Sequence, residues 1–206
     1  MLIADKADGT AYKVLRQVIP LPGRTRRIDS PIVLYNFRIK LVRAAIEKAV
    51  PAKSRLRFVT SHPWDLSDRL IAALAECPSV CEHLHLPVQA GDDVVLRRMG
   101  RQYTIEHYQE RLTRIREAVP GITISTDVIV GFCGETEAQF QGTLRLLETV
   151  RYDQVFAAAY SPRPGTPATK LADDVPPDVK RRRLNELLAV QERIGLERNR
   201  AWLGRE

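Results

Sequence analysis

From Arg55 onward the chain alternates short apolar strands with amphipathic helices, and this constrains the fold more than any other feature of its 206 residues. Arg55–Thr60 (RLRFVT) alternates apolar and polar residues, as a strand does. Leu66–Glu76 has helical spacing, with Asp65 or Ser67 as N-cap. His83–Val88 (HLHLPV) reads as the second strand, Asp92–Met99 as a short helix and Thr104–Val119 as a longer one stopped by Pro120-Gly121. Ile122–Phe132 (ITISTDVIVGF) reads as a third strand, apolar enough to be buried on both faces. Thr136–Val150 opens with the capping box Thr136-x-x-Gln139. Gln154–Tyr160 is the fourth strand, and Asp178–Leu203 a last helix between Pro176-Pro177 and Gly204. Strand and helix in regular succession imply parallel strands joined by right-handed crossovers. The expected fold is α/β: a truncated, partial (β/α) barrel with a long C-terminal helix.

The first quarter has a different character. Residues 1–54 hold 11 basic and 4 acidic residues, whereas residues 55–206 hold 21 of each, so the whole net charge of +7 lies in the first segment. Such a segment attracts phosphate backbones, although no aromatic stacking pattern is interleaved with its charge. A loop is expected around Pro20–Arg27, a strand over Pro31–Ile39 and a helix over Ile39–Val50. No run of about 18 apolar residues appears, and the N-terminus has no apolar signal core. A cytoplasmic protein with no membrane partner is expected. Three cysteines (Cys77, Cys81 and Cys133) make no disulfide framework.

In α/β barrels, chemistry collects at the C-terminal ends of the strands. Here those ends read Thr60-Ser61-His62-Pro63, Pro87-Val88-Gln89-Ala90-Gly91-Asp92-Asp93, Gly131-Phe132-Cys133-Gly134-Glu135-Thr136 and Tyr160-Ser161-Pro162-Arg163-Pro164-Gly165. One such tip is an ordinary turn with a helix cap. Four in succession, each with more hydrogen-bonding side chains than a cap needs, form a rim suited to a polar small molecule.

The segments SHPWDLSD, HLHLPVQAGDDVVLRRMGRQYT, ISTDVIVGFCGETEAQF and YSPRPGTPATKLADDVPPDVKRRRLNELLAVQ resemble successive blocks of the radical SAM methylthiotransferases, over residues 55–204. They lean toward the branch acting on N6-isopentenyladenosine. The resemblance implies a radical SAM partial barrel that uses S-adenosyl-L-methionine and a 4Fe-4S cluster to methylthiolate N6-modified adenosine 37 of tRNA, the cluster supplying the radical chemistry. It places Gln89 near the methionine or ribose part of the ligand. Asp127 would accept from a hydroxyl, and Val130, Gly131 and Phe132 would face adenine. Ser161 and Arg163 would stand at the mouth of the fourth strand, where a guanidinium suits a carboxylate or phosphate. On the structural reading, Asp127 caps a turn and Arg163 makes a surface ion pair.

The sequence also departs from that family. Thiolates in a C-x3-C-x2-C loop hold the cluster, and this chain has none: Cys77-x3-Cys81 is followed by Leu84 where the third cysteine would fall. Metal ligands are therefore expected to be absent, and the chain inactive by itself. The expected organisation is an unmatched basic segment over residues 1–54, the later part of the barrel over 55–172, and a helix over 173–206 leading to an RNA-binding β-domain outside the sequence. Residues 1–54 are expected to be divergent or out-of-frame sequence, and the whole a gene fragment.

Three rivals compete with this reading. Cys77, Cys81, His83 and His85 (C-x3-C-x-H-x-H) carry zinc-ligand types, but over too short a stretch for tetrahedral closure. A non-enzymatic remnant would bind RNA or a partner through its basic first quarter. An aldolase-like barrel would need a lysine at a strand end, and Lys53, Lys170 and Lys180 lie elsewhere. The run Lys180-Arg181-Arg182-Arg183 reads as a solvated helix face, and Leu184, Leu187, Leu188 and Ile194 as an apolar packing stripe.

Overall fold

The computed structural model describes residues 2–4, 56–59, 63–77, 80–201 and 203–204, with backbone only at 2–4, 56–59 and Asp65. The expected loop, strand and helix between residues 20 and 50 lie outside the described residues. The chain divides into two compact units, one of Met1–His85 with Leu112–Ile122, the other of Leu86–Arg111 with Thr123–Glu206.

In the first unit, β1 (Leu2–Ala4) pairs antiparallel with β2 (Leu56–Val59), and β2 pairs parallel with β3 (Val80–His85). Helix α1 (Asp68–Glu76) starts at Ser67, whose side chain accepts from the Leu70 N–H at 3.3 Å, so Ser67 rather than Asp65 is the cap. Leu66, Leu70, Ile71, Leu84 and Ile115 form its core. The sequence placed the β3 strand at His83–Val88, three residues too late. A turn in which the Val80 N–H donates to the Cys77 carbonyl at 3.0 Å starts it earlier. Pro87, which has no N–H to donate, keeps it from running on. Cys81 therefore lies within β3, not in a loop before it.

The second unit holds α2 (Asp93–Arg98), β4 (Thr123–Val130), α4 (Glu137–Val150), β5 (Gln154–Ala159) and α5 (Pro177–Arg200); helix α3 (Ile105–Ala118) follows α2 in the chain. Each start is written in the sequence. Asp92 accepts from the Val94 and Val95 N–H groups to cap α2, and Thr104 accepts from the His107 N–H ahead of α3. Thr136 and Gln139 close both halves of the capping box on α4. Arg151 ends α4 in the left-handed region (φ 54°), its N–H bonded to the Leu147 carbonyl. Strands β4 and β5 run parallel in register from Ser125↔Gln154 to Val130↔Ala159, with α4 as the crossover.

Helix α5 packs on β5 and α4. Tyr108, Ile124, Phe140, Leu147, Leu187 and Ile194 are fully buried. The Tyr152 hydroxyl donates to the Tyr108 hydroxyl at 3.0 Å, which donates on to the Leu86 carbonyl at 2.9 Å, so neither buried phenol is left unpaired. Two expectations fail here. Strand β4 is not buried on both faces: Asp127 and Ile129 are half-exposed, because Phe156 and Ala158 beside them on β5 leave that face open. Leu188 does not join the α5 stripe and stays exposed, since only Leu187 and Ile194 face the core.

Candidate ligand site

The segment Leu86–Asp92 is tied to β4 and its neighbours by nearly every polar group it owns. The buried Thr126 hydroxyl accepts from the Val88 N–H at 2.9 Å and donates to the Leu86 carbonyl at 2.8 Å. The Tyr103 hydroxyl donates to the Val88 carbonyl at 2.9 Å, and burial pushes its pKa up to about 12, so it remains a donor. Gln89 forms a bridge with Val128: its N–H donates to Asp127 at 2.8 Å, and its carbonyl accepts from Ile129 at 2.9 Å. The Gly91 N–H donates to Thr143 Oγ1 at 2.9 Å, and a Cβ on Gly91 would stand 2.4 Å from the Thr143 Cα. Asp92 accepts further from Gln139 Nε2 at 3.0 Å.

Gln89 is the exception. Its φ is +72°, in the region that costs an L-residue about 1–2 kcal/mol. The Ala90 N–H closes a tight turn onto the Val88 carbonyl at 3.0 Å around it. The residue is 8% exposed, yet among the described residues its side-chain amide makes no hydrogen bond. Backbone strain held in place by its surroundings sets Gln89 apart from the rest of the segment.

Asp127 stands next to it. Its Cα partner on β5 is Phe156, so the two side chains share the open face of the pair. Val130 lies on the opposite, buried face, and its carbonyl accepts from the Tyr160 N–H at 2.9 Å. Gly131 has φ +69°, and Phe132 is buried with its ring 4.8 Å from that of Tyr160, edge to face. Ser161 and Arg163 follow in an exposed loop, and among the described residues the Arg163 guanidinium has no ion-pair partner. The structure therefore joins Gln89 to Asp127 directly. It sets Val130–Phe132 one step on, and connects the Ser161–Arg163 loop to them through Tyr160.

Sequence reading missed the groups that hold this segment from behind. The run 180–183 is not a solvated face. Lys180 and Arg183 are buried, three residues apart on the inner side of α5, whereas Arg181 and Arg182 point out. Arg183 pairs with Glu135 at 2.9 Å, and Arg182 pairs with Glu137 at 2.7 Å. Burial pushes the Glu135 carboxyl up from its ordinary value, while the Gly131 N–H and the Arg183 guanidinium pull it back. The i, i+3 spacing of Lys180 and Arg183 was the only available signal.

The cluster implied by the resemblance does not fit this donor set. Cys77 and Cys133 are buried and Cys81 half-buried in β3. Among the described residues no group of three or more His, Cys, Asp or Glu is arranged to hold a metal ion, and that includes the cysteine and histidine set weighed for zinc. A polar ligand such as S-adenosylmethionine does fit: the Gln89 amide is unspent and Asp127 lies on the open face beside it.

The Radical SAM superfamily matches over residues 29–147. A tRNA-2-methylthio-N(6)-dimethylallyladenosine synthase of Chlorobium chlorochromatii is 48% identical over 180 residues, 87% of this chain and 39% of that protein. Proteins of the same name from Thermus thermophilus (52% over 151 residues; 73% of this chain) and Acetivibrio thermocellus (51% over 156 residues; 76% of this chain) are equally similar, each covered over 32% of its length. The chain thus spans about a third to two-fifths of the curated relatives it matches. Coproporphyrinogen III oxidase of Escherichia coli, a radical SAM enzyme, superposes with a TM-score of 0.66 at 20% identity over 81% of this chain and 39% of that chain, which shows the partial-barrel fold. With the parallel strands and the match over residues 29–147 taken together, the chain belongs to the radical SAM superfamily.

Proposed function

We propose that this chain is part of a tRNA methylthiotransferase and carries the adenosyl-facing wall of its S-adenosylmethionine site, without the cluster ligands. Gln89 supplies the amide left unbonded within the protein, and Asp127 accepts from a ribose hydroxyl. Val130, Gly131 and Phe132 border the adenine, and Ser161 and Arg163 reach the polar end of the ligand or a phosphate of the RNA. The observation that carries the reading is the strain at Gln89: a positive φ held by five surrounding backbone and side-chain bonds, its side-chain amide making no hydrogen bond among the described residues. The relatives' name, tRNA-2-methylthio-N(6)-dimethylallyladenosine synthase, supports an N6-modified adenosine of tRNA as the substrate class. By itself the chain is inactive, because three clustered thiolates are missing and soft anionic ligands are what iron–sulfur clusters require.

Anaerobic reconstitution with iron and sulfide tests this. The expected result is no stoichiometric iron uptake and no release of 5′-deoxyadenosine, together with saturable binding of S-adenosylhomocysteine. A brown, metal-holding sample that releases 5′-deoxyadenosine would overturn the claim of inactivity, and absence of nucleoside binding would overturn the site.

A second reading rests on charge: the whole excess of +7 lies in residues 1–54. On this reading the chain is a non-enzymatic RNA- or partner-binding remnant. Its RNA affinity would fall steeply with salt and would be lost when the basic residues between Arg24 and Lys53 are neutralised. Retention of affinity in that variant would reject it.

A further inference from the structure

Two cations of α5 grip the segment that borders the proposed adenine position. Arg183 donates to the Glu135 carbonyl at 3.0 Å and to its carboxylate at 2.9 Å, and adds bonds of 3.3 Å to Glu137. The same Glu135 oxygen receives the Gly131 N–H at 2.6 Å. The Arg183 guanidinium also stands 5.5 Å from the centre of the Phe140 ring. One turn earlier, Lys180 lays its stem where a side chain on Gly131 would be, its Cγ 2.4 Å from that Cβ position. Its ammonium reaches the Tyr160 carbonyl at 3.3 Å and the Asp173 carboxylate, and lies 5.2 Å from the Tyr160 ring centre.

Anchoring a helix does not require this. Leu187 and Ile194 seat α5 by apolar burial alone, and burying an ion pair costs desolvation that its attraction barely offsets. What an apolar residue cannot do is set the direction of a backbone N–H. Glu135 does that for Gly131, and Arg183 holds Glu135 by both its carbonyl and its carboxylate. We propose that Arg183 is a positioning residue: through Glu135 it fixes the Gly131 N–H and thereby the Val130–Phe132 segment, so that nucleoside affinity depends on the seating of α5. This rests on the adenosyl reading of the site given above. The helix that follows the barrel strands is thereby mechanically linked to the ligand-facing loop, and a partner acting on α5 would change how tightly the loop holds its ligand.

S-adenosylhomocysteine, titrated into the isotope-labelled full chain and followed by NMR, tests this. The variants are R183M, R183K and E135Q, each measured where circular dichroism shows it folded. R183M and E135Q are expected to weaken binding about tenfold. Both are expected to move the Gly131 amide proton upfield, E135Q because the acceptor loses its charge and R183M because Glu135 is no longer held against it, and R183K is expected to recover part of the R183M effect. If the wild-type chain fails to bind, the adenosyl reading falls and the inference with it. If the wild type binds, and E135Q and R183M stay within about twofold of it with an unmoved Gly131 amide, the site reading stands and the positioning role of Arg183 is overturned.

Discussion

The Gln89 N–H donates to the Asp127 carbonyl at 2.8 Å, which places the strained residue of one loop beside the half-exposed carboxylate of β4. That single backbone bond brings together two side chains 38 residues apart, and it ties the φ of Gln89 to the position of Asp127. Strain held in this way is separable from stability, and the substitution Q89G separates them. Glycine accepts φ +72° without strain and removes the side-chain amide. Thermal unfolding should show Q89G more stable than the wild type by about 1 kcal/mol, while its affinity for S-adenosylhomocysteine falls. A variant both less stable and unchanged in binding would mean that Gln89 is a packing residue.

Thr126 bridges two backbone groups of the segment before Gln89. T126V keeps the shape of the side chain but leaves the Val88 N–H without its acceptor in a buried setting. The expected loss is about 1–3 kcal/mol by denaturant titration. T126S, which keeps the hydroxyl, should lose much less, and an equal loss in both variants would point to the methyl group.

Lys180 leaves no room for a side chain at Gly131. A Cβ at Gly131 would meet the Lys180 Cγ at 2.4 Å, and φ +69° adds backbone strain. G131A should cost more than about 2 kcal/mol. In a K180A background the clash is gone and only the backbone term of about 1–2 kcal/mol should remain. A double-mutant cycle reads the difference as coupling between the two residues, and additivity would contradict the packing described.

Glu137 gives the protein an acid-sensitive contact. The Arg182 guanidinium beside it holds its carboxyl at about 2, below its ordinary value of 4.5. As pH falls from 4.5 toward about 2, the unfolded chain takes up the proton first, so the contribution is whole above pH 4.5 and is lost below it. E137Q should flatten this part of the melting-temperature profile. The pair is half-exposed, so the effect should be small and should shrink further in high salt. An unchanged profile would show that other carboxylates govern the acid limb.

The elements themselves were legible in the sequence because their signals are local. The Thr136-x-x-Gln139 box and Asp92 ahead of α2 act within a few residues, and helix and strand periods need no distant partner; Gly204 did not mark the end of α5, which stops at Arg200 with Ala201 as its cap. The start of β3 was misplaced because a turn at Cys77 and an unreceptive Pro87 shift the strand without altering its apolar pattern. Gln89 and Asp127 were singled out through family resemblance. That Gln89 is strained and unbonded could not be read, since its φ is imposed by Thr126, Tyr103 and β4, none of them its neighbour in sequence.

The basic run on α5 shows where the division falls. Composition and helical period determine by themselves that the four cations of residues 180–183 lie on a helix. Which of the four are spent inside the protein was decided only in three dimensions. A helix turns 3.6 residues per revolution, so Lys180 and Arg183 share one side. That side meets a carboxylate 48 residues earlier in the chain, at a loop whose shape the helix itself holds. Charge is a property of the residue, but burial of charge is a property of the partner that folding brings to it.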